Sequence, residues 1–536
     1  RAENLTVEPV PSEAGFVDAP AVGRGIKGFI RRNFTSRGDL PKTVHDRMIQ
    51  RDGGVGVTER QIAFTLRDFR KAQRKVHGIG RGVPEGDRVV LDRALKGEIP
   101  IERIPEPFRP IITRMRNEVD TLSRRLIDSG AIEGELEATI EQNIGSYATR
   151  SYRVFDDPDW ALKVSQDVRN KAKALLRSEF PNSSEEEIAG LIEALLYRGK
   201  EAGSPVGLMG KLGSKDLSIL KRRKDIPPEI RALYGEHTDA KVNYARSATR
   251  MAHLIENHHF LTDVRREGLG EFFFEKPTVR GANQFKAQIA SGGSKTLEPL
   301  NGLFTTPEIK RAFEEIGAPQ QLPDWLRHYM KVNGFVKFSK TVLSMLTHVR
   351  NTTANVGFAT ANGLWRVTKS ADALRAIGAN TGITDIISSP KNITRWRDYF
   401  LKLQRLRVVD ESARAGELGD VLADAIKGNL SDPGRSPAVR VLSVGSKFVK
   451  SLYRAEDDVW KVFAFENELA RYGAAKPEWS VDRLEAHVAE IVRNTHPTYS
   501  LVPRGVKMLR RFPLVGNFVS FPSEVARTMY HTLRLT

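Results

Sequence analysis

The stretch FRPIITRMRNEVDTLSRRL, residues 108–126, decides the fold. Its apolar side chains Phe108, Ile112, Met115, Val119, Leu122 and Leu126 recur at steps of 4, 3, 4, 3 and 4. That spacing gathers one side of an α-helix, whereas a strand would gather every second residue. Arg114, Arg116, Glu118, Asp120, Arg124 and Arg125 fill the remaining faces. The seam spans nearly three heptads, too few for a long coiled coil, so a helix packed in a bundle is expected.

Working outward, Thr58–His77 reads as a helix, broken by Gly78, Gly80, Gly82, Pro84 and Gly86. Before it, residues 1–55 are rich in Pro, Gly and charge, which predicts an extended arm with a short basic helix near Ile26–Asn33. Downstream, Ser184 and Glu187 form a capping box, and Ile188, Leu191, Ile192, Leu195 and Leu196 supply an apolar face closed by Gly199. The Gly-rich stretch 203–213 and the pair Pro227-Pro228 mark a boundary. Residues 240–262 read as helix, and 270–300 as a small β or irregular insert carrying Phe272, Phe273 and Phe274. From Pro307 onward helical spacing returns, interrupted at Gly378–Pro390 and Gly428–Pro437. The expected fold is therefore mainly α: extended multi-helix bundles, irregular Pro/Gly-rich connections, and at most a small β insert near 270–300. The expected organisation is an N-terminal arm (1–55), a helical domain (56–225), a helical linker region with the insert (226–320) and a second helical domain (321–536).

The chain of 536 residues carries 84 Lys and Arg against 66 Asp and Glu, a net charge of +18. An excess of this size favours polyanions, either nucleic acid or an anionic membrane surface. It is uneven, because Arg493–Thr536 holds seven basic residues and a single acid, Glu524. Arg31, Arg32, the run Lys221-Arg222-Arg223-Lys224, and Arg510 with Arg511 are candidate phosphate contacts, and no aromatic interleaving suggests base stacking. Binding through such groups would be independent of sequence and sensitive to salt. Cysteine is absent, which removes disulfides, thiolate metal sites and cysteine nucleophiles. No 7–15-residue apolar core of a signal peptide follows the basic start.

Catalytic templates fail one by one. In Gly203–Lys211 the glycines are too far apart for a phosphate loop, and Leu212 stands where a magnesium-binding hydroxyl belongs. Ser294-Lys295-Thr296 lacks the glycine before its lysine, and Gly78-Ile79-Gly80 lacks the third glycine of a dinucleotide loop. His253 and His258 fall about 140° apart on a helix, so they do not share a metal-binding face. Asp156, Asp157 and Asp159 fit a turn and N-cap around Pro158. Glu456, Asp457 and Asp458 lie within pairing distance along a helix of Arg454 and Lys461. The expectation is a protein that is not an enzyme and uses no metal or cofactor. Phe335, Phe338, Val342, Met345, Leu346 and Val349 form an apolar helical arc. The segment from Lys340 to Arg366 that continues it is too polar for a confident membrane span. It reads as buried helical core, with insertion into a water-lined oligomer as the alternative.

Three stretches carry a resemblance. Thr347-His348-Val349-Arg350-Asn351, followed by Asn355, resembles the Thr-His-x-Arg-Asn signature of a phage large polyvalent-protein-associated domain. Tyr499, Pro503, Pro513, Phe518, Phe521, Glu524 and Arg527 are similar to the end of that domain. Ser12-Glu13-Ala14-Gly15-Phe16 resembles a junction motif of long phage polyproteins. The resemblance covers roughly residues 320–536 and implies a segment of a giant virion protein. Such a protein would sit in the internal core at the portal and pass into the host envelope on ejection. It would assemble with further copies into a ring or tube, and touch portal or core proteins, double-stranded DNA backbone and the host membrane. The alternatives are a non-catalytic scaffold within an enzyme-bearing virion polyprotein (RNA polymerase or peptidoglycan-cleaving) and a non-specific nucleic-acid-binding protein. Most of the signature residues are expected to hold the fold. Arg350 falls at the edge of the apolar arc and needs a partner, for which Asn351, Asn355 or Glu524 could serve.

Overall fold

A computed structural model describes residues 40–79, 81–132, 152–155, 160–202, 226–280, 283–292, 297–317, 370–381, 389–409, 458–498, 501–502, 506 and 520–535. Among these the chain is mainly α. In order, the helices are α1 (Lys42–His77), α2 (Glu85–Leu95), α3 (Arg109–Asp128), α4 (Trp160–Lys163), α5 (Gln166–Glu179), α6 (Glu185–Ala202), α7 (Pro228–Tyr234) and α8 (Ala240–Gly268). Then follow β1 (Thr278–Arg280), β2 (Asn283–Phe285), β3 (Ala287–Gln288), β4 (Phe304–Thr305), α9 (Pro307–Gly317), α10 (Ser370–Thr381) and α11 (Pro390–Arg405). Residues 458–475 form α12, and α13 (Val481–Thr495) and α14 (Ser520–Leu535) complete the set. The described residues divide into two compact units, one from Gln61–Ala252, the other from within Arg1–Arg60, His253–Ser412 and Ser436–Thr536. The division runs through α1 and α8 rather than through the Gly- and Pro-rich stretches.

In the unit from Gln61–Ala252 the seam is a bundle core. Phe108, Ile112 and Met115 are fully buried and Val119, Leu122 and Leu126 nearly so. Each such side chain contributes roughly 1.5–3 kcal/mol on leaving water. The Phe69 ring of α1 meets Phe108 at 4.9 Å between centroids, and Ser123 of α3 donates to Met251 Sδ of α8 at 3.5 Å. Glu118 draws the same three helices together: it accepts from Gln61 and Thr65, each at 3.2 Å, and from the Tyr244 hydroxyl. Burial pushes the Glu118 carboxyl up.

A second core in this unit gathers Leu176, Ile188, Ile192, Leu196, Ile230, Leu233 and Tyr234. The capping box forms in both directions: Ser184 N–H donates to Glu187 Oε2 at 2.8 Å, and Glu187 N–H to Ser184 Oγ at 3.2 Å. Gly199 does not close α6, which continues to Ala202. One glycine after α7 is required: Gly235 has φ +69°, and a Cβ there would meet the Trp160 ring at 2.4 Å. That indole donates to the Leu233 carbonyl at 2.9 Å, locking α4 to α7.

In the other unit, α1 begins at Lys42, so residues 42–55 are helical where an extended arm was expected. The glycines that suggested a loop serve close packing. A Cβ on Gly53 would sit 2.3 Å from the Arg405 carbonyl oxygen, and one on Gly54 2.2 Å from the Glu256 carboxylate. α8 runs to Gly268, six residues beyond the expected end, and the insert follows it. β1 pairs with β2 and β3 with β4, both antiparallel. These short strands cover a core of Phe260, Phe272, Phe273, Phe285, Ile309 and Phe313. Gly378 lies inside α10, so the chain is still helical where a break was expected to begin.

Candidate nucleic-acid interface

Arg31, Arg32, Lys221, Arg222, Arg223, Lys224, Arg510 and Arg511 lie outside the described residues, as do His348, Arg350, Asn351, Asn355, Tyr499, Pro503, Pro513 and Phe518. The segment from Lys340 to Arg366 and Asp156, Asp157 and Asp159 lie outside them too. Phe521 falls in α14. Glu524 and Arg527 are described, and they meet.

Glu524 is wholly buried on α14 and pairs with Arg527 one turn on, Nη2 to Oε2 at 2.7 Å. Its Oε2 also accepts the Thr498 backbone N–H at 2.8 Å. The same guanidinium donates to the carbonyls of Arg493 (3.0 Å) and His496 (3.2 Å). Those carbonyls stand at the end of α13, where a helix leaves C=O groups without intrahelical partners and concentrates partial negative charge. Arg527 is thus a C-terminal cap held in place by a buried carboxylate. Arg493 does the same for α11, donating to the Leu406 carbonyl; burial lowers its guanidinium to about 10, still charged at neutral pH. His496 beside them is buried, and desolvation, reinforced by Lys461, lowers its imidazole to about 3. This clasp sets three helix ends in place, a structural task.

The surface chemistry lies elsewhere. On the second half of α1, Arg67, Arg70, Lys71, Arg74 and Lys75 recur at i, i+3, i+4, i+7 and i+8. At ~100° per residue they share an arc of about 140°, and at ~1.5 Å per residue they extend about 12 Å. Lys71, Arg74 and Lys75 are exposed, Arg67 and Arg70 partly so. The acid in this run is Asp68, which already serves two cations, Arg114 at 2.8 Å and Lys71 at 3.7 Å. Arg114 comes from α3, so a second helix adds charge to the face. Residues 67–75 carry five cations and one acid, a net +4 on a helix anchored by Phe69 in the core. This rail was missed in the sequence, although the spacing test that found the apolar seam finds it when applied to Lys and Arg.

Among the described residues no group of three or more His, Cys, Asp or Glu is placed to hold a metal ion. His253 approaches Glu59 at 3.4 Å rather than another histidine. No described helix is long and apolar enough to cross a membrane. Comparison with family models, curated proteins and solved structures finds no match to this chain.

Proposed function

We propose that this chain is a structural protein of a phage-type internal virion core and ejection apparatus. In this reading copies assemble into a conduit, seated against portal or core proteins, that contacts the backbone of the genome and passes with it into the host envelope. The observation that carries the DNA part is the α1 rail: five cations at helical spacing on a packed helix, three of them exposed and two partly so. One strand of duplex presents a phosphate about every 3.4 Å along its axis, so a rail about 12 Å long matches three or four of them. Such contacts read charge and shape rather than sequence. The resemblance of residues 320–536 supplies the virion context, and the clasp at Glu524 and Arg527 fits the expectation that its signature residues hold a fold.

The test is a salt series of duplex binding by fluorescence anisotropy. Affinity is expected to fall steeply with salt, without preference for sequence. Lys71→Gln, Arg74→Gln and Lys75→Gln together are expected to flatten the log–log slope by about 2–3. An unchanged slope in that triple variant would overturn the rail. For assembly, electron microscopy of the purified chain and of ejecting particles should show a ring or tube; single dispersed copies in both would overturn the conduit.

A further inference from the structure

We infer that the corner formed by α10 and α11 binds single-stranded nucleic acid, with a base stacked on Trp396 and phosphates held by Arg375, Lys391 and Arg395. The inference rests on the reading that this chain handles nucleic acid, and adds a second mode of contact to it.

The argument starts from charge. α11 carries Lys391, Arg395, Arg397, Lys402 and Arg405 against Asp398, a net +4 in one short helix. Lys391, Arg395, Asp398, Lys402 and Arg405 share an arc of about 80° at ~100° per residue. The opposite side is core: Phe400, Leu403 and Gln404 are buried. Lys402 is tied to Glu485 on α13, which leaves the first half of the helix as its more cationic free end.

Trp396 stands beside that end, half-buried between the two helices. The Arg395 guanidinium lies 5.1 Å from its ring centroid and that of Arg375, reaching over from α10, 5.8 Å. Tyr399 meets the indole edge-on at 5.9 Å, and its hydroxyl donates to Glu466 on α12, which fixes the phenol ring. Leu374, 59% exposed, adds an apolar neighbour next to Arg375. Arg375 also pairs with Asp372 at 3.1 Å on the surface of α10, a contact a phosphate can replace. An indole flanked by surface cations is a stacking platform: a base takes the ring face and the guanidiniums turn to the adjoining phosphates. A base inside a duplex is stacked on both faces, so away from duplex ends the corner selects single strands.

A second cation–aromatic corner shows what is specific here. Between α12 and α13, Arg483 covers Trp479 at 4.5 Å, and His487 lies against Tyr472 and Trp479 at 5.0 and 5.1 Å. There Arg471, Lys476 and Arg483 are matched by Glu468, Glu478 and Asp482, so no field draws a polyanion. An anionic membrane is the rival for the α11 face. Among the described residues of α10 and α11, however, Leu374 is the one exposed large apolar side chain, too little to enter the acyl region.

The test uses the full chain with two fluorescent probes, an oligothymidylate and a blunt duplex of equal length. Trp396→Ala is expected to weaken oligothymidylate binding about tenfold or more and to leave duplex binding within about twofold. Trp396→Phe, which keeps a ring, should recover most of the loss. Arg375→Gln with Arg395→Gln removes surface charge without touching the core, and should flatten the oligothymidylate salt slope by about one. Equal loss on both probes, no loss on either, or Trp396-dependent binding to phosphatidylglycerol vesicles without oligothymidylate binding would each overturn the inference. Loss confined to oligothymidylate supports it even if the α1 substitutions leave the duplex slope unchanged, an outcome that would overturn the rail alone.

Discussion

Two buried charge clusters, one in each unit, solve the same problem in different ways. In the first, Lys96, at the C-terminal end of α2, reaches Asp92 at 2.6 Å and Glu236 at 2.8 Å, and Asn243 donates to Asp92 at 2.7 Å and to the His237 carbonyl at 2.6 Å. In the second, Arg527 holds Glu524 and two helix-end carbonyls. A lysine ammonium is a point charge and can collect carboxylates from distant segments, and Arg231 on α7 supplies a second cation to Glu236 at 3.6 Å. An arginine fork has donors to spare after a 1:1 charge match, and spends them on backbone oxygens. The first cluster is therefore spread over two cations and two carboxylates, and burial pushes the Asp92 carboxyl up. The second rests on one pair.

The largest effect should come from removing the cation where it serves two anions. Lys96→Met breaks two pairs at once: it strands Asp92 and leaves Glu236 to Arg231 at 3.6 Å, the two carboxylates having side-chain exposures of 3% and 12%. Its loss is expected at about 4–5 kcal/mol, the upper part of the range for breaking a buried pair. Arg527→Met strands one carboxylate that keeps the Thr498 N–H, and should lose less. Urea unfolding followed by circular dichroism gives both numbers, and an equal loss would erase the distinction. Glu524→Gln comes next. It leaves the Arg527 charge without its counter-ion but retains an oxygen for Thr498, so about 3 kcal/mol is expected, the lower end of the same range.

The sequence showed some of these arrangements and hid others for physical reasons. The seam from Phe108 to Leu126 was legible because side-chain period alone fixes which face is buried. The Ser184–Glu187 box was legible because both partners sit within one turn. Gly53 and Gly54 misled, since what makes them necessary is a carbonyl at Arg405 and a carboxylate at Glu256, hundreds of residues away. Glu524 and Arg527 could be seen as an i, i+3 pair, but not their backbone partners near Arg493 and His496. Trp396 could be seen beside Arg395, but not beneath Arg375 from the neighbouring helix. Local pattern is written in the chain; what a residue meets across the fold is not.

Acid should separate the clusters by sign. His496 falls from its ordinary 6.5 to about 3 on folding, so the unfolded chain binds a proton there that the folded chain refuses. Its contribution is full above about pH 6.5 and lost as pH drops, by about 1.4 kcal/mol per unit, or roughly 2 kcal/mol at pH 5. His496→Asn should flatten the stability–pH curve over that window. A curve with unchanged slope in the variant would remove His496 from the account.

Asp92 should behave in the opposite sense and give the smallest change. Its carboxyl is raised on folding, chiefly by burial, so its contribution is fully present below the ordinary value of 3.8 and is lost as pH rises through the folded value. At neutral pH the charged form is held against its own desolvation. Asp92→Asn removes that penalty, keeps an oxygen for Asn243, and leaves Lys96 paired with Glu236. Loss of one ion pair and relief of a buried charge act against each other, so the net change should stay within about 1 kcal/mol of wild type. Glu524→Gln, the same chemical edit in the second cluster, takes from Arg527 the carboxylate it pairs with, whereas Asp92→Asn leaves Lys96 its bond to Glu236. Denaturation at pH 7 should therefore show the two amide variants well apart; if Asp92→Asn unfolds as readily as Glu524→Gln, Lys96 depends on Asp92 as much as Arg527 depends on Glu524.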